Sequence, residues 1–239
     1  MRAIGFSTGA LALGDFRHAL EILARTDATA VELSALRQPE LESLLEALPD
    51  LDLSKFSHIS VHLPSSIEPD FEARLLYLVR EIPSQWPLIA HPNIITLWDA
   101  WKDLGDRVCI ENMDKRKEIG QKARHLRKVF ERLPEATFCF DIGHAHQVDP
   151  TMGEAVLILE EFRNRLVQLH VSEVNSESRH DPISREVEMA FEIVSTLIPE
   201  SIPAILESKV GRLDPAAQVM SEMELVKHLL SRQVEVVGD

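Results

Sequence analysis

The chain has 239 residues, of which 45% are hydrophobic and 27% charged, and its formal net charge is −14. This composition is typical of a globular protein with enough apolar residues for a core, and the negative charge disfavours a nonspecific nucleic-acid binder or a protein attracted to anionic lipid. Two cysteines in separate apolar runs exclude a disulfide scaffold, and the lack of a signal peptide or of an apolar stretch of ~20 residues predicts a cytoplasmic protein without a membrane span.

Short apolar runs alternate with amphipathic stretches of helical spacing along the chain. The runs predict strands at Ala3–Phe6, Thr29–Leu33, His58–Val61, Pro87–Ala90, Arg107–Ile110, Thr137–Phe140, Leu166–Leu169 and Pro203–Leu206. In the first amphipathic stretch, Phe16, Leu20 and Leu23 share one helical face, and Asp15 stands at the N-cap position. Near the end of the chain, Asp214-Pro215 followed by AAQVMSEMELVKHLL predicts a cap, a proline in the first turn and a long amphipathic helix.

Strands that alternate with helices predict βαβ units and a parallel sheet. Eight such units in ~240 residues match the size of a compact (β/α)8 TIM barrel, so we expect one barrel domain over residues 1–239. A doubly wound open sheet is the alternative fold. The first strand leads into GFSTGALALG, which lacks the GxGxxG fingerprint of dinucleotide-binding open sheets, and this favours the barrel.

Ionisable residues stand at the ends of seven of the eight predicted strands. They are Glu32, His62, His91, Glu111, Asp141, His170 and Glu207. A single residue of this kind is most often an ordinary turn residue, but active sites of barrels lie at the carboxyl ends of the strands. The same strand ends carry no matching ring of Lys and Arg, and burying so many acids and imidazoles is costly unless they bind a cation. We therefore expect a divalent metal, with Mn, Mg, Co, Fe and Zn all compatible with these ligand types.

The motifs IEN, DIGH, LHVSE and ILES at the ends of strands five to eight resemble the xylose-isomerase-like barrel superfamily. That superfamily contains sugar isomerases and epimerases together with endonuclease IV. For the epimerase branch, the resemblance implies one divalent metal held by Glu111, Asp141, His170 and Glu207. It also implies that Glu111 and Glu207 exchange protons with the substrate, and that His144 and Arg179 touch it.

For the endonuclease IV branch, the resemblance implies three metals held by nine residues. Eight have counterparts in this chain: His62, His91, Glu111, Asp141, His144, His170, His180 and Glu207. The ninth is an aspartate two positions before the last histidine, and here Ser178 occupies that position in the sequence SRHDP. A complete third metal site would therefore need Asp181 as a substitute ligand.

Two enzymatic functions remain open at this point. The first is an isomerase or epimerase of a small sugar or sugar phosphate, in which Glu111 and Glu207 transfer protons while His62, His91 and Glu32 contact the substrate. The second is a phosphoester hydrolase with two or three metals, acting on a small phosphoester because the loops look too short to engage duplex nucleic acid. The surplus imidazoles favour the hydrolase, whereas the breadth of the isomerase branch favours the isomerase, which we take as the expected function. A barrel that binds metal without turnover is a third possibility.

Three further residues lie near these strand ends. Cys109 and Cys139 each precede a proposed ligand by two residues, so strand alternation predicts that they fill the barrel interior. Lys209 lies just beyond the last strand. It either meets a phosphate or carboxylate of the substrate or is an ordinary surface lysine.

Overall fold

The computed structural model describes residues 2–211 and 213–231. Its main feature is a closed barrel of eight parallel strands, in which each strand neighbours the next along the chain and the last pairs with the first. In chain order the strands are β1 (Ile4–Ser7), β2 (Ala30–Ser34), β3 (His58–His62), β4 (Leu88–Ala90), β5 (Val108–Glu111), β6 (Thr137–Asp141), β7 (Leu166–Val171), β8 (Glu173–Val174), β9 (His180–Asp181) and β10 (Ala204–Leu206). All but β8 and β9 belong to the barrel. The predicted (β/α)8 barrel is confirmed, and each barrel strand lies within two residues of its predicted run at both ends.

Helices connect the strands on the outside of the barrel. They are α1 (Thr8–Ala12), α2 (Phe16–Ala24), α3 (Gln38–Ala47), α4 (Glu72–Leu78), α5 (Trp98–Lys102), α6 (Ala123–Arg132), α7 (Ile142–Val148), α8 (Gly153–Phe162), α9 (Arg185–Ser195) and α10 (Pro215–Ser231). Both predicted caps are present, because Asp15 accepts a hydrogen bond from the His18 amide and Asp214 accepts one from the Ala217 amide. Within the described ranges, no helix is long and apolar enough to cross a membrane.

Two separate apolar clusters fill the fold. The larger joins strand residues such as Phe6 and Phe138 to helix residues such as Leu23 and Phe191. The smaller consists of Ile89, Cys109 and Cys139, all fully buried. Because neighbouring side chains on a strand point to opposite faces, this smaller cluster lies inside the barrel below the ends of the strands, as predicted for the two cysteines.

The segment after β7 contains a short antiparallel hairpin formed by β8 and β9. The sequence did not predict these strands, because two residues are too few to show an alternating pattern. The turn between them includes Ser178, whose φ of 56° is in the left-handed region. The hairpin brings His180 back over the carboxyl end of the barrel, where its ring contacts that of His144.

Candidate metal centre

A cleft of about 810 Å³ opens at the carboxyl ends of the barrel strands. Imidazoles and carboxylates line its inner part: His62, His91, Glu111, His144, His180 and Glu207. Its rim carries the cations Arg116, Lys117 and Lys209 together with the apolar side chains of Leu13, Leu36 and Val210. The size falls in the usual range for clefts that hold small molecules, ~300–1,000 Å³.

Glu111, the last residue of β5, lies at the centre of the inner part and is 1% exposed. Its Oε2 lies 3.0 Å from His91 Nε2 and 3.3 Å from His62 Nε2. Its Oε1 lies 3.0 Å from His170 Nδ1 and 3.4 Å from His144 Nδ1. Burial would raise the pKa of Glu111, but these imidazoles, His170 foremost, hold it well below its usual range. Each oxygen of this carboxylate therefore faces a different pair of histidines.

The two histidines beside Oε2 of Glu111 differ in their charge preference. The Nδ1–H of His62 donates to the Leu63 carbonyl over 2.7 Å, which directs Nε2 toward Glu111. Burial lowers the pKa of His62, but hydrogen bonding to Glu111 and the surrounding carboxylates outweigh burial and raise it to about 9. For His91, burial dominates and lowers the pKa, and its buried Nδ1 has no hydrogen-bond partner.

Asp141, the last residue of β6, caps α7 by accepting a hydrogen bond from the His144 amide at Oδ1 over 2.7 Å. The Asn112 side chain holds the Asp141 backbone at both its N–H and its carbonyl, each over 2.8 Å. The other carboxylate oxygen, Oδ2, is buried and accepts no hydrogen bond, although His144 Nδ1 lies 3.3 Å away. Burial raises the pKa of Asp141 to about 8, with Glu111 adding to the effect and His144 opposing it. Oδ2 of a charged Asp141 therefore has an imidazole beside it but accepts no hydrogen bond.

His170 on β7 connects Glu111 to the far side of the cleft. Its Nδ1 lies 3.0 Å from Glu111 Oε1 and 3.5 Å from Glu207 Oε2. Glu207 Oε2 is also 3.5 Å from His180 Nδ1, and that nitrogen lies 2.8 Å from the Ser172 hydroxyl. Burial lowers the pKa of His180 to about 4, so this imidazole is neutral at physiological pH and has the protonation state that a metal ligand needs.

Within the described part of the chain, ligand atoms converge in overlapping groups, each with all its atoms within 4.8 Å of one another. The four-ligand set is Glu111, Asp141, His170 and Glu207; the three-ligand set is His62, His91 and Glu111; the imidazole set is Asp141, His144 and His180. The atoms of a further group, Glu32, His62, His170 and Glu207, also meet this criterion. Carboxylate oxygens and imidazole nitrogens without thiolates suit the divalent metals expected from the sequence. The buried Oδ2 of Asp141 fits the same interpretation, because it accepts no hydrogen bond and a cation would supply the missing partner.

Solved structures share this architecture. A D-tagatose 3-epimerase-like protein superposes with a TM-score of 0.65 at 17% sequence identity, and the match covers 96% of this chain and 97% of that one. The chain has the xylose-isomerase-like (β/α)8 barrel fold. A xylose isomerase domain protein from Alicyclobacillus acidocaldarius subsp. acidocaldarius matches with a TM-score of 0.67 at 15% identity, over 96% of this chain and 98% of its own. No protein-family model and no curated protein sequence matches this chain.

The barrel brings most of the predicted site residues together, with two exceptions. Arg179 pairs with Glu177 and does not line the cleft. The next residue, His180 at the start of β9, faces the cleft instead. Its placement does not support the expected contact with substrate. Glu32 is fully buried, does not line the cleft and lies beneath His170, so its placement does not support a substrate contact either.

The position expected for a ninth metal ligand is also changed. Ser178 lines the cleft and its hydroxyl hydrogen-bonds the Gln147 side chain. The Asp181 carboxylate is instead bound by the Asn175 amide over 2.6 Å, and Asp181 belongs to none of the ligand sets. Its placement does not support the substitution of Asp181 for the missing aspartate.

Sequence reasoning missed the polar loop that follows β5. Asp114 is buried there and binds the Arg116 guanidinium through both carboxylate oxygens. The Lys117 ammonium donates to the Ser65 carbonyl over 3.2 Å, and both cations line the cleft. The signal was the charged run DKRK directly after the IENM motif, which lies beyond the end of the strand and outside the strand-end motifs.

Proposed function

We propose that this barrel is a metal-dependent hydrolase of a small phosphoester, with at least two divalent cations held at the carboxyl end of its strands. The observation that carries the proposal is the orientation of Glu111. Its Oε1 faces His170 of the four-ligand set, whereas its Oε2 faces His62 and His91 of the three-ligand set. A carboxylate placed in this way would be able to hold one cation at each of its oxygens. Paired cations supply a nucleophilic hydroxide and stabilise the attacking and leaving oxygens of in-line displacement at phosphorus.

The chain's own residues would divide the work between holding the cations and binding the substrate. Three residues from successive strands, His62, His91 and Glu111, would hold one cation, and the other members of the four-ligand set would join Glu111 around the second. The imidazole set offers a third position, but Asp141 is then shared and Ser178 stands where a further carboxylate would be expected. Two cations therefore account for most of the buried ligand atoms.

The rim of the cleft supports an anionic substrate. Arg116, Lys117 and Lys209 line it and can donate charge-assisted hydrogen bonds to phosphate oxygens. Because Arg116 is already tied to the buried Asp114, its guanidinium is held in place before the substrate binds. The apolar side chains of Leu13 and Leu36 on the same rim leave room for a less polar part of the molecule. The cleft's volume suits a small molecule.

The second candidate is a metal-dependent isomerase or epimerase of a small sugar or sugar derivative. Two observations favour it. The four-ligand set contains the glutamate pair Glu111 and Glu207, both of which line the cleft. Two solved structures with this fold carry the names of an epimerase-like protein and a xylose isomerase domain protein. One glutamate would remove a proton beside a carbonyl and the other would return it. This mechanism needs only one cation and needs Glu111 free to accept a proton.

One experiment separates the two functions. We would measure metal content per chain by inductively coupled plasma mass spectrometry. We would then assay bis(p-nitrophenyl) phosphate and p-nitrophenyl phosphate cleavage beside solvent-deuterium incorporation into aldoses and ketoses. The hydrolase is expected to hold two or more cations, to cleave a phosphoester and to lose that activity in His91→Ala. Arg179→Ala is the matched control, because this side chain is exposed and paired with Glu177 outside the cleft.

The opposite pattern would refute the hydrolase. A single cation, deuterium incorporation that Glu207→Gln abolishes, and unchanged turnover in His91→Ala would assign the site to the isomerase.

A further inference from the structure

A buried polar network lies directly beneath the four-ligand set. Glu32 on β2 is fully buried, and its Oε2 accepts hydrogen bonds from three groups. These are His170 Nε2 over 3.0 Å, the Gln168 amide over 2.7 Å and the Ser60 hydroxyl over 3.1 Å. The Gln168 carbonyl oxygen in turn lies 2.7 Å from His58 Nε2. A buried carboxylate with three donors at one oxygen is a fixed acceptor, and it dictates which partners carry hydrogens.

The network determines which nitrogen of His170 can face a cation. His170 Nε2 must carry a hydrogen to bond Glu32, and the Gln168 amide nitrogen 3.0 Å from it is also a donor to Glu32. A neutral His170 therefore has its lone pair at Nδ1. That atom lies 3.0 Å from Glu111 Oε1 and 3.5 Å from Glu207 Oε2, so it faces two other members of the four-ligand set. A second hydrogen-bonding partner that orients a ligating histidine in this way also raises its basicity.

Direct coordination by Glu32 is the competing interpretation, because Glu32, His62, His170 and Glu207 also form a group of close ligand atoms. Two observations speak against coordination through Oε2. The three hydrogen bonds at Oε2 leave little capacity there for a cation, so Glu32 could reach a cation only through Oε1, which is buried and has no hydrogen-bond partner. His170 also turns its hydrogen-bearing nitrogen toward Glu32, and a protonated nitrogen is not a ligand.

We propose that Glu32 is a positioning residue that fixes the tautomer and orientation of His170, with Gln168 and His58 continuing the network across the barrel interior. The residue then acts on the metal only through His170 and touches neither cation nor substrate. This inference rests on the proposed metal centre, but the experiment below distinguishes failure of the one from failure of the other.

The test uses cadmium-113 as the probe in the full chain labelled with nitrogen-15 histidine. In the wild type, the cadmium–nitrogen coupling of His170 is expected at Nδ1, with the hydrogen on Nε2. Glu32→Gln keeps the shape of the side chain but presents an amide, and it is expected to weaken cadmium binding at the four-ligand set by ~10–100-fold. Ser60→Ala is the matched control, because it removes one donor to Glu32 and leaves the bond to His170 intact.

Each outcome has a defined meaning. Coupling through Nε2 in the wild type would overturn the inference even if Glu32→Gln fails to fold. Cadmium affinity of Glu32→Gln within twofold of the wild type would also overturn it, while leaving the metal centre in place. Failure of the wild type to bind cadmium at all would overturn both the metal centre and this inference.

Discussion

The substitution Glu111→Gln is expected to weaken two cation sites at once. Glu111 is the residue common to the four-ligand set and the three-ligand set, and its two oxygens face different histidines, with Oε1 beside His170 and Oε2 beside His91. Glutamine keeps the shape of the side chain but removes the negative charge and replaces one acceptor by a donor. By contrast, Glu207 belongs to the four-ligand set and not to the three-ligand set, so Glu207→Gln should affect one site only.

The size of the effect follows from the number of ligands. A structural zinc site with four protein ligands contributes ~10–16 kcal/mol, which is about 2.5–4 kcal/mol per ligand. At ~1.4 kcal/mol per factor of ten, the loss of one ligand raises a dissociation constant by roughly two to three orders of magnitude. Glu111→Gln should raise both dissociation constants by this amount.

Equilibrium dialysis over a range of free zinc concentrations, with metal content measured by mass spectrometry, checks this prediction. Glu72→Gln serves as the control, since Glu72 is an equally buried glutamate whose partners are Thr96, Leu97 and Trp101 rather than the site. If Glu111→Gln retains one cation per chain at wild-type affinity, Glu111 is not a shared ligand, and the main support for a two-cation hydrolase is lost.

Three further outcomes are expected. Metal-free protein should lose about 1–3 kcal/mol of unfolding free energy between pH 6.5 and 9, measured by urea titration. The sign follows because the folded pKa values of His62 and Asp141, about 9 and about 8, lie above the ordinary values of 6.5 and 3.8, so protons that stabilise the fold are lost as pH rises. The loss from His62 falls within this window, whereas the loss from Asp141 begins near pH 4 and ends near pH 8. An increase of stability with pH would contradict this account. At pH 8, Asp141→Asn should stabilise the metal-free chain by about 1–3 kcal/mol, because it removes a buried charge whose Oδ2 accepts no hydrogen bond. The same substitution should lower zinc affinity. Destabilisation of the metal-free chain would argue against that account. The double substitution of Arg116 and Lys117 by Ala should raise KM for an anionic substrate about tenfold or more, whereas Arg179→Ala should leave this KM unchanged. If the double substitution and Arg179→Ala changed KM equally, the rim would not bind the anion.

The strands and their polar ends were predictable because both depend on local pattern. Each barrel strand is a short apolar run, and seven of the eight carry an imidazole or a carboxylate at or near the carboxyl end. A parallel barrel brings all such ends to one face whatever their separation in the sequence. The direction of Arg179 and the contribution of Arg116 were not predictable. The first depends on a two-residue strand that carries no periodic signal, and the second on how a loop folds back over the barrel rim.

The depth of Glu32 follows from its place within its strand. Strand alternation points both Glu32 and His62 into the barrel. Glu32 is the middle residue of β2, however, whereas His62 is the last residue of β3, and the register pairs Glu32 with Ser60 and Ser34 with His62. Glu32 therefore lies one layer deeper than His62. The predicted run Thr29–Leu33 already contained Glu32, whereas His62 followed its run, so this difference was present in the sequence.

The choice between the two enzymatic functions also depends on a feature that sequence does not carry. Both functions use the same residues at the same strand ends, so residue type alone favours neither. What differs is whether Glu111 is available to accept a proton. With His62 and His91 on one oxygen and His170 and His144 on the other, Glu111 has a cation ligand or a hydrogen-bond donor beside each oxygen. Burial would raise its pKa, and in the metal-free chain the imidazoles, His170 foremost, hold it well below its usual range. An imidazole that binds a cation is neutral, so the ability of Glu111 to accept a proton depends on how many cations its neighbours hold. The proposed hydrolase needs Glu111 to hold a cation at each oxygen, whereas the isomerase needs one oxygen free to take a proton beside a carbonyl, so the number of cations per chain decides between the two functions.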